Sequence, residues 1–233
     1  MQPSEQSRHL RSLAALAPVI PVLVIDDAAV APRLGQALVA GGLPVLEVTL
    51  RRPAALEAIR ALASVAGARV GAGTVLTPED AAAAQDAGAG FAVSPGLTPA
   101  LAEACTRLGL PLLPGAVTAS EVMAAMALGY DMLKFFPAAT SGGAVALAAL
   151  SGPLPAVAFC PTGGITAANA SDYLGLPNVP CVGGTWIAPP ATLAAASWEE
   201  IETRAREAAA LPRAWRDGAA GSANPGTSAQ ARP

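Results

Sequence analysis

The sequence predicts an α/β fold, a (β/α)8 TIM barrel with an extra N-terminal helix, on three observations. Eight short β-branched runs alternate with alanine-rich stretches, their starts are roughly 20–25 residues apart, and all eight units fit within about 200 residues. A doubly wound sheet also alternates, but no G-x-G-x-x-G follows the first run. The predicted strands are residues 19–25, 45–50, 69–75, 91–94, 111–115, 132–136, 156–162 and 179–184.

The helices between these strands are predicted from their ends. Threonines precede three of the alanine-rich stretches in N-cap position, and a glycine follows each stretch where a left-handed residue ends a helix. These pairs are Thr77 with Gly88, Thr98 with Gly109, and Thr118 (or Ser120) with Gly129. The segment before the first strand is predicted to be a helix that closes the barrel floor. Residues 1–212 are therefore interpreted as one barrel domain. Residues 213–233, rich in Gly, Ala, Ser and Pro, are interpreted as a disordered tail.

Composition excludes several classes of function. The net charge is −3 and the arginines are scattered, so no basic footprint for nucleic acid is present. The apolar run from Leu13 to Ile25 is interrupted by two prolines and is too short to span a membrane, so we expect no membrane contact and a cytoplasmic protein. Three cysteines without C-x-x-C spacing and a single histidine, His9, suggest neither a metal site nor a Ser-His-Asp triad. Chemistry must then use lysine, glutamate, threonine and backbone groups, and we expect no metal or cofactor.

The second predicted strand carries polar groups on one face. Alternation along residues 46–51 places Glu47, Thr49 and Arg51 together, opposite the leucines and valine between them. An ion pair between Glu47 and Arg51 at the barrel end would explain the pattern structurally. The functional interpretation is a general acid or base beside an anion clamp.

The sixth predicted strand contains Lys134, the one lysine of a chain with 13 arginines. Alternation puts it on the inner face with Met132 and Phe136, in the upper layers and near Glu47. Its stem could simply pack on phenylalanine rings. However, this chain uses arginine wherever charge alone is needed, and only lysine can lose its proton when buried and attack a carbonyl as a free amine. We therefore predict a Schiff-base lysine.

Glycine-rich ends follow the third, seventh and eighth strands. Gly71 and Gly73 leave room for a ligand to approach the backbone beside the Thr74 hydroxyl, or else permit close strand–helix packing. Gly163-Gly164 and Gly183-Gly184 are typical of plain turns as well. Because they follow strands seven and eight, where barrels bind phosphate through backbone N–H groups, together they predict phosphate binding.

These residues lie in motifs that resemble one family, the 2-keto-3-deoxy-6-phosphogluconate (KDPG) aldolases, which are often also 4-hydroxy-2-oxoglutarate aldolases. The matching stretches occur in order and cover about residues 12–210. They are LEVTLR (46–51), GAGTVL (71–76), SPGL (94–97), LPG (113–115), LKFFPA (133–138), CPTGGI (160–165) and VGGTW (182–186).

The resemblance implies a class I aldolase that cleaves KDPG reversibly to pyruvate and D-glyceraldehyde 3-phosphate, with a second activity on 4-hydroxy-2-oxoglutarate that yields pyruvate and glyoxylate. It implies Lys134 as the amine, Glu47 as the proton shuttle, and Arg51 with Thr74 as the carboxylate site. The remaining implied site residues are Pro95 and Phe136 as pocket walls, Thr162 toward a substrate hydroxyl, and Gly163, Gly164, Gly184 and Thr185 at the phosphate. The family commonly has serine where Thr185 stands, and the hydroxyl is kept. The implied partner is a phosphorylated keto acid, and a homotrimer is usual in the family.

Three alternatives stay open from the sequence. The first is the same chemistry on the galactonate epimer of the substrate. The second is a phosphosugar isomerase or epimerase that uses Glu47 as a base without a covalent step. The third is a non-catalytic phosphosugar-binding protein, for which the Lys134, Glu47 and Arg51 set would be coincidental.

Overall fold

The computed structural model describes residues 1–215. Of the segment predicted as a tail, residues 216–233 lie outside the described part. Its first residues are bound to the body of the protein: the Arg213 guanidinium donates hydrogen bonds to the carbonyl oxygens of Ala14, Ala15 and Pro180. The chain therefore remains attached to the domain up to the last described residue, Trp215, whose side chain is buried.

The fold is α/β, and all the paired strands are parallel and lie within the predicted segments. A six-stranded sheet has the order β5-β4-β3-β2-β1-β8, and β6 pairs with β7. Single parallel bridges, Gly115 with Lys134 and Thr162 with Gly183, join the two sheets at their edges. The strands curl in a half-barrel. Their bounds are β1 Val19–Leu23, β2 Val45–Thr49, β3 Arg69–Gly73, β4 Phe91–Val93, β5 Leu112–Leu113, β6 Met132–Phe135, β7 Ala158–Pro161 and β8 Val182–Gly184.

The helices begin and end largely where the sequence places their caps. Thr77, Thr98 and Thr118 each accept a hydrogen bond from the backbone N–H three residues on. Gly88 and Gly129 have positive φ just past their helices, which only glycine adopts without strain. The helices are α1 Pro3–Leu16, α2 Ala31–Ala40, α3 Ala55–Ala63, α4 Pro78–Asp86, α5 Pro99–Leu108, α6 Ala119–Ala127, α7 Gly143–Ser151, α8 Ala170–Leu174, α9 Pro190–Ala194 and α10 Trp198–Ala209.

Strand alternation separates two hydrophobic cores. Leu46 and Leu133 belong to the large cluster that packs the outer strand faces against the helices. Val45 and Met132 belong to a smaller inner cluster, together with Leu10 of α1. Glu47 and Lys134 each follow one of these inner residues by two positions, so both side chains point inward.

Helix α1 is held to the start of β5 and β6 by buried polar contacts. The Gln6 amide oxygen accepts hydrogen bonds from the Leu112 N–H and the Tyr130 hydroxyl. Arg11 forms an ion pair with the Asp131 carboxylate at 3.0 Å and also donates to the Asp131 carbonyl. These bonds fix the strand that carries Lys134 from the end opposite its carboxyl terminus. Within residues 1–215, no helix has the length and apolar character to cross a membrane.

Candidate active site

The centre of the site is a buried pair between Lys134 of β6 and Glu47 of β2. The Lys134 Nζ donates to Glu47 Oε1 at 3.1 Å, and the two residues are 5% and 3% exposed. The alternative in which Glu47 pairs with Arg51 is wrong, because the carboxylate contacts Lys134 on the inner side of the strands. The carboxylate is thus placed to take a proton from the amine.

The backbone of β6 is held on both sides at Lys134. Its N–H donates to the Pro114 carbonyl, and its carbonyl accepts from the Ala116 N–H. On the other side it is in register with Cys160 of β7. The Phe136 ring lies over the amine, with Nζ 5.3 Å from the ring centroid. The lysine is therefore held rigidly, with one carboxylate and one aromatic face beside its nitrogen.

Arg51 and Thr74 meet at the ends of neighbouring strands. The Arg51 Nε donates to the Thr74 Oγ1 at 3.2 Å, and the guanidinium is exposed at the mouth. Thr74 has φ +61°, a left-handed conformation that is strained for a β-branched residue. Such strain persists only where the surrounding structure imposes it. Here the strained residue, Thr74, turns its hydroxyl toward the Arg51 guanidinium. The two groups form a compact donor set for an anion.

Pro95 and Phe136 both line a cavity of about 270 Å³, and the Phe136 ring is the one that lies over the Lys134 amine. The other walls of the cavity are backbone-rich, from residues 96–99 and 115–117 and from α6. Gly115 is needed there because a Cβ at that position would lie 2.1 Å from the Pro95 carbonyl oxygen. The segments that contain Pro95 and Gly115 therefore pack tightly on each other, and Phe136 lines the same cavity.

The turn after β7 consists of Thr162, Gly163 and Gly164. The two glycines have φ of +96° and +75°, so the turn requires residues without a side chain. The Thr162 and Gly163 carbonyls accept bonds from the N–H groups of Ala138 and Ala139. Among residues 1–215, the N–H groups of the two glycines have no acceptor, and the buried Thr162 hydroxyl has no partner. The hydroxyl lies against Gly183, where a Cβ would be 2.3 Å from it.

The end of β8 is shaped by Trp186. The Trp186 ring folds back over Gly184, where a Cβ would overlap it at 1.7 Å. The Arg204 guanidinium of α10 donates to the Trp186 carbonyl at 3.0 Å and anchors this turn. Thr185, which lies between Gly184 and Trp186 in the chain, is exposed. The turns after β7 and β8 are adjacent, because Thr162 and Gly183 are bridged.

Two cysteines of the inner core lie near the pair, and one of them, Cys160, is in register with Lys134. Cys160 and Cys181 belong to the inner core, and both are free thiols. The contact with Cys160, together with burial, holds the pKa of the Cys181 thiol well above its ordinary value. They keep the floor of the site apolar and uncharged. Within the described residues, no three His, Cys, Asp or Glu side chains are grouped closely enough to hold a metal ion.

Comparison with known proteins identifies the family of the chain. The model of the KDPG and KHG aldolase family matches residues 10–204. The KHG/KDPG aldolase of Escherichia coli K12 is 50% identical over 198 residues, which are 84% of this chain and 93% of that protein.

Two solved structures give the same result. The KDPG aldolase of Zymomonas mobilis ZM4 with 3-phosphoglycerate has a TM-score of 0.84 and 48% identity, covering 89% of this chain and 98% of that one. The KDPG aldolase of Legionella pneumophila, with pyruvate captured as a covalent carbinolamine, has a TM-score of 0.83 and 45% identity, covering 85% and 97%. By the match of the family model and by its identity to these relatives, the chain belongs to the KDPG and KHG aldolase family.

Proposed function

We propose that this protein is a class I aldolase that cleaves KDPG to pyruvate and D-glyceraldehyde 3-phosphate through a Schiff base on Lys134. The observation that carries the proposal is the contact of the buried amine with the Glu47 carboxylate at 3.1 Å. Catalysis by a lysine nucleophile requires an adjacent group that accepts and returns protons, and Glu47 is in hydrogen-bond reach.

The first half of the reaction forms the iminium. The neutral Lys134 amine adds to the C2 carbonyl of the keto acid and gives a carbinolamine. Glu47 then donates the proton with which the C2 hydroxyl leaves as water. Arg51 and the Thr74 hydroxyl hold the substrate carboxylate, and the guanidinium fork matches its two oxygens.

The second half breaks the carbon–carbon bond. Glu47, now a carboxylate, removes the proton of the C4 hydroxyl, the C3–C4 bond breaks, and its electron pair moves into the iminium to give an enamine. D-Glyceraldehyde 3-phosphate leaves. Protonation at C3 and hydrolysis then release pyruvate and restore the amine. The iminium is the electron sink, so the lysine itself supplies the stabilisation of the developing carbanion.

The phosphate site of this proposal is the pair of turns after β7 and β8. The Gly163 and Gly164 N–H groups, with Gly184 and the exposed Thr185 hydroxyl, supply uncharged donors for a phosphate. Thr162 would contact a substrate hydroxyl, and Pro95 and Phe136 would wall the three-carbon end.

The same proposal includes a closed architecture and an assembly. We infer that the eight strands form a (β/α)8 barrel, with the two single bridges as its seams and α1 across its floor. The support is the bridging of Gly115 with Lys134 and of Thr162 with Gly183. The family resemblance adds a homotrimer, which sedimentation equilibrium would test directly.

The decisive experiment traps the Schiff base. Pyruvate and borohydride should add one reduced three-carbon unit to the intact protein, and peptide mapping should place it on Lys134. Because the chain has one lysine, the only competing amine is that of Met1. Lys134→Arg is the matched control, which keeps the charge and should take no adduct. An unmodified wild-type protein, or normal turnover by Lys134→Arg, would refute the covalent mechanism and favour an isomerase that uses Glu47 alone.

Substrate choice needs a second assay. Pyruvate release, coupled to lactate dehydrogenase, should be faster with KDPG than with its galactonate epimer, and 4-hydroxy-2-oxoglutarate should give a slower reaction. Faster release from the galactonate epimer would assign the enzyme to that substrate instead. Glu47→Gln should slow turnover by about 10²-fold or more, as loss of a general acid–base group does.

A further inference from the structure

Beyond Arg69, the inner face of β3 has no side chains of its own. Gly71 and Gly73 point into the barrel, and Ala72 between them packs in the outer core. A Cβ on Gly71 would lie 2.3 Å from the Phe91 ring. A Cβ on Gly73 would lie 2.2 Å from Glu47 Oε1 and 2.7 Å from Glu47 Cγ. Side chains from the neighbouring strands β4 and β2 therefore fill the space that β3 leaves.

The Glu47 side chain reaches this space by leaning along β3. In the β2–β3 register Glu47 is opposite Gly71, and Thr49 is opposite Gly73. The carboxylate therefore lies two residues farther toward the carboxyl end of β3 than its own backbone. Gly73 does not have a positive φ, so its glycine is needed for space and not for backbone conformation. The sequence suggested that Gly73 lets a ligand approach the backbone. In the structure the Glu47 carboxylate occupies the space beside Gly73, so the glycine makes room for this carboxylate instead.

We propose that Gly73 is a positioning residue that holds the Glu47 carboxylate against Lys134. This inference rests on the proton-transfer role proposed above for Glu47. Any side chain at position 73 would either push Oε1 away from the amine or move β3 away from β2. Glu47 is 3% exposed and has no free solvent side to turn to, so the displacement changes its 3.1 Å contact with Lys134 Nζ.

The test is a double-mutant cycle between Gly73→Ala and Glu47→Ala, read out as stability. Gly73→Ala should lower the urea midpoint of the wild-type protein. In the Glu47→Ala background, Gly73→Ala should lower the urea midpoint by less than about half as much. The reason is that the Glu47 atoms that the new methyl group would meet are absent. If the Gly73→Ala protein is insoluble, a soluble Gly73→Ala/Glu47→Ala double variant supports the inference equally well. The inference is overturned if Gly73→Ala lowers the urea midpoint equally in the wild-type and Glu47→Ala proteins, or if both resulting variants are insoluble.

The matched control is Gly71→Ala, on the same face of the same strand. Its methyl group meets the Phe91 ring, so its cost should be the same with and without the Glu47 carboxylate. Gly90→Ala is a second control, since its Cβ would meet only an ordinary contact at 3.7 Å. Coupling of Gly71→Ala to Glu47 as strong as that of Gly73→Ala would contradict a specific role for Gly73.

Kinetics separates this inference from the proposed function. Gly73→Ala should lower kcat about tenfold or more, within the range of a displaced acid–base group, and leave the KM for pyruvate within about twofold. The Glu47→Ala background should show little further loss of kcat. If Glu47→Gln turns over normally while the stability coupling persists, the proton shuttle is wrong and Gly73 still positions the carboxylate.

Discussion

Replacement of the buried Lys134–Glu47 pair by two methionines should leave a fold at least as stable as the original. Both partners are nearly inaccessible, and their charged atoms are 3.1 Å apart. At an effective dielectric constant of about 20 the attraction is about 5 kcal/mol. The cost of removing two charges from water is of similar size, so the intact pair contributes little net stability.

The single replacements should behave differently from the double one. Lys134→Met leaves a buried carboxylate without its cation, and Glu47→Met leaves a buried ammonium without its anion. Each should lower the free energy of unfolding by about 3–5 kcal/mol. The double variant buries two flexible apolar side chains of similar size and should equal or exceed the original by up to about 4 kcal/mol. It should have no aldolase activity.

Urea unfolding followed by circular dichroism and tryptophan fluorescence measures all four proteins of this cycle. Trp186 and Trp198 lie after β8 and in α10, so fluorescence reports on elements other than the two strands that carry the substitutions. The reasoning is refuted if either single variant loses less than about 1 kcal/mol. It is also refuted if the double variant loses the sum of the two single losses, since additive losses would mean that the two buried side chains do not interact.

Three further results are expected. Thr74→Gly should raise stability by about 1 kcal/mol, because it removes left-handed strain, and should weaken pyruvate binding, because the guanidinium loses its hydroxyl partner; urea unfolding and the KM for pyruvate measure the two effects. The N–H groups of Thr118 and Val117 hold the pKa of the Glu121 carboxyl below its ordinary value of 4.5. This stabilisation is present above the ordinary value and is lost as pH falls through the lowered one, so thermal midpoints should show a larger deficit of Glu121→Gln at pH 7 than at pH 3. Burial raises the pKa of the Cys105 thiol to about 11, and all three cysteines are buried. A disulfide reagent at pH 8 should therefore modify them only after unfolding. Rapid modification of the native protein would contradict the packing described.

Periodicity was enough to predict the strands and the faces of their side chains. Alternation places Glu47 and Lys134 on the inner face, and the structure agrees. The reason is that successive side chains of a strand point to opposite faces, and these strands are buried on both faces. The threonine caps were predictable for a similar reason, since a cap depends on a few adjacent residues.

Contacts between strands distant in sequence were harder to predict. Alternation says which face a residue occupies but not its height along the neighbouring strands, which the register of several intervening strands determines. For this reason the carboxylate of Glu47 had two possible cations, Arg51 four residues away and Lys134 87 residues away. The left-handed conformation of Thr74 also has no sequence signal, because such conformations normally favour glycine or asparagine.

The single lysine is explained by what arginine does elsewhere in the described chain. Arg213 donates to three carbonyls, and Arg11 to two carbonyls and a carboxylate. These are multidentate anchors that use a planar, permanently charged fork. Lys134 has one carboxylate partner and one aromatic neighbour. In the proposed mechanism its amine gives one proton to Glu47 and becomes a nucleophile, which a permanently charged guanidinium would not do. The buried pair is therefore expected only where the chemistry requires it, since it does little for the stability of the fold.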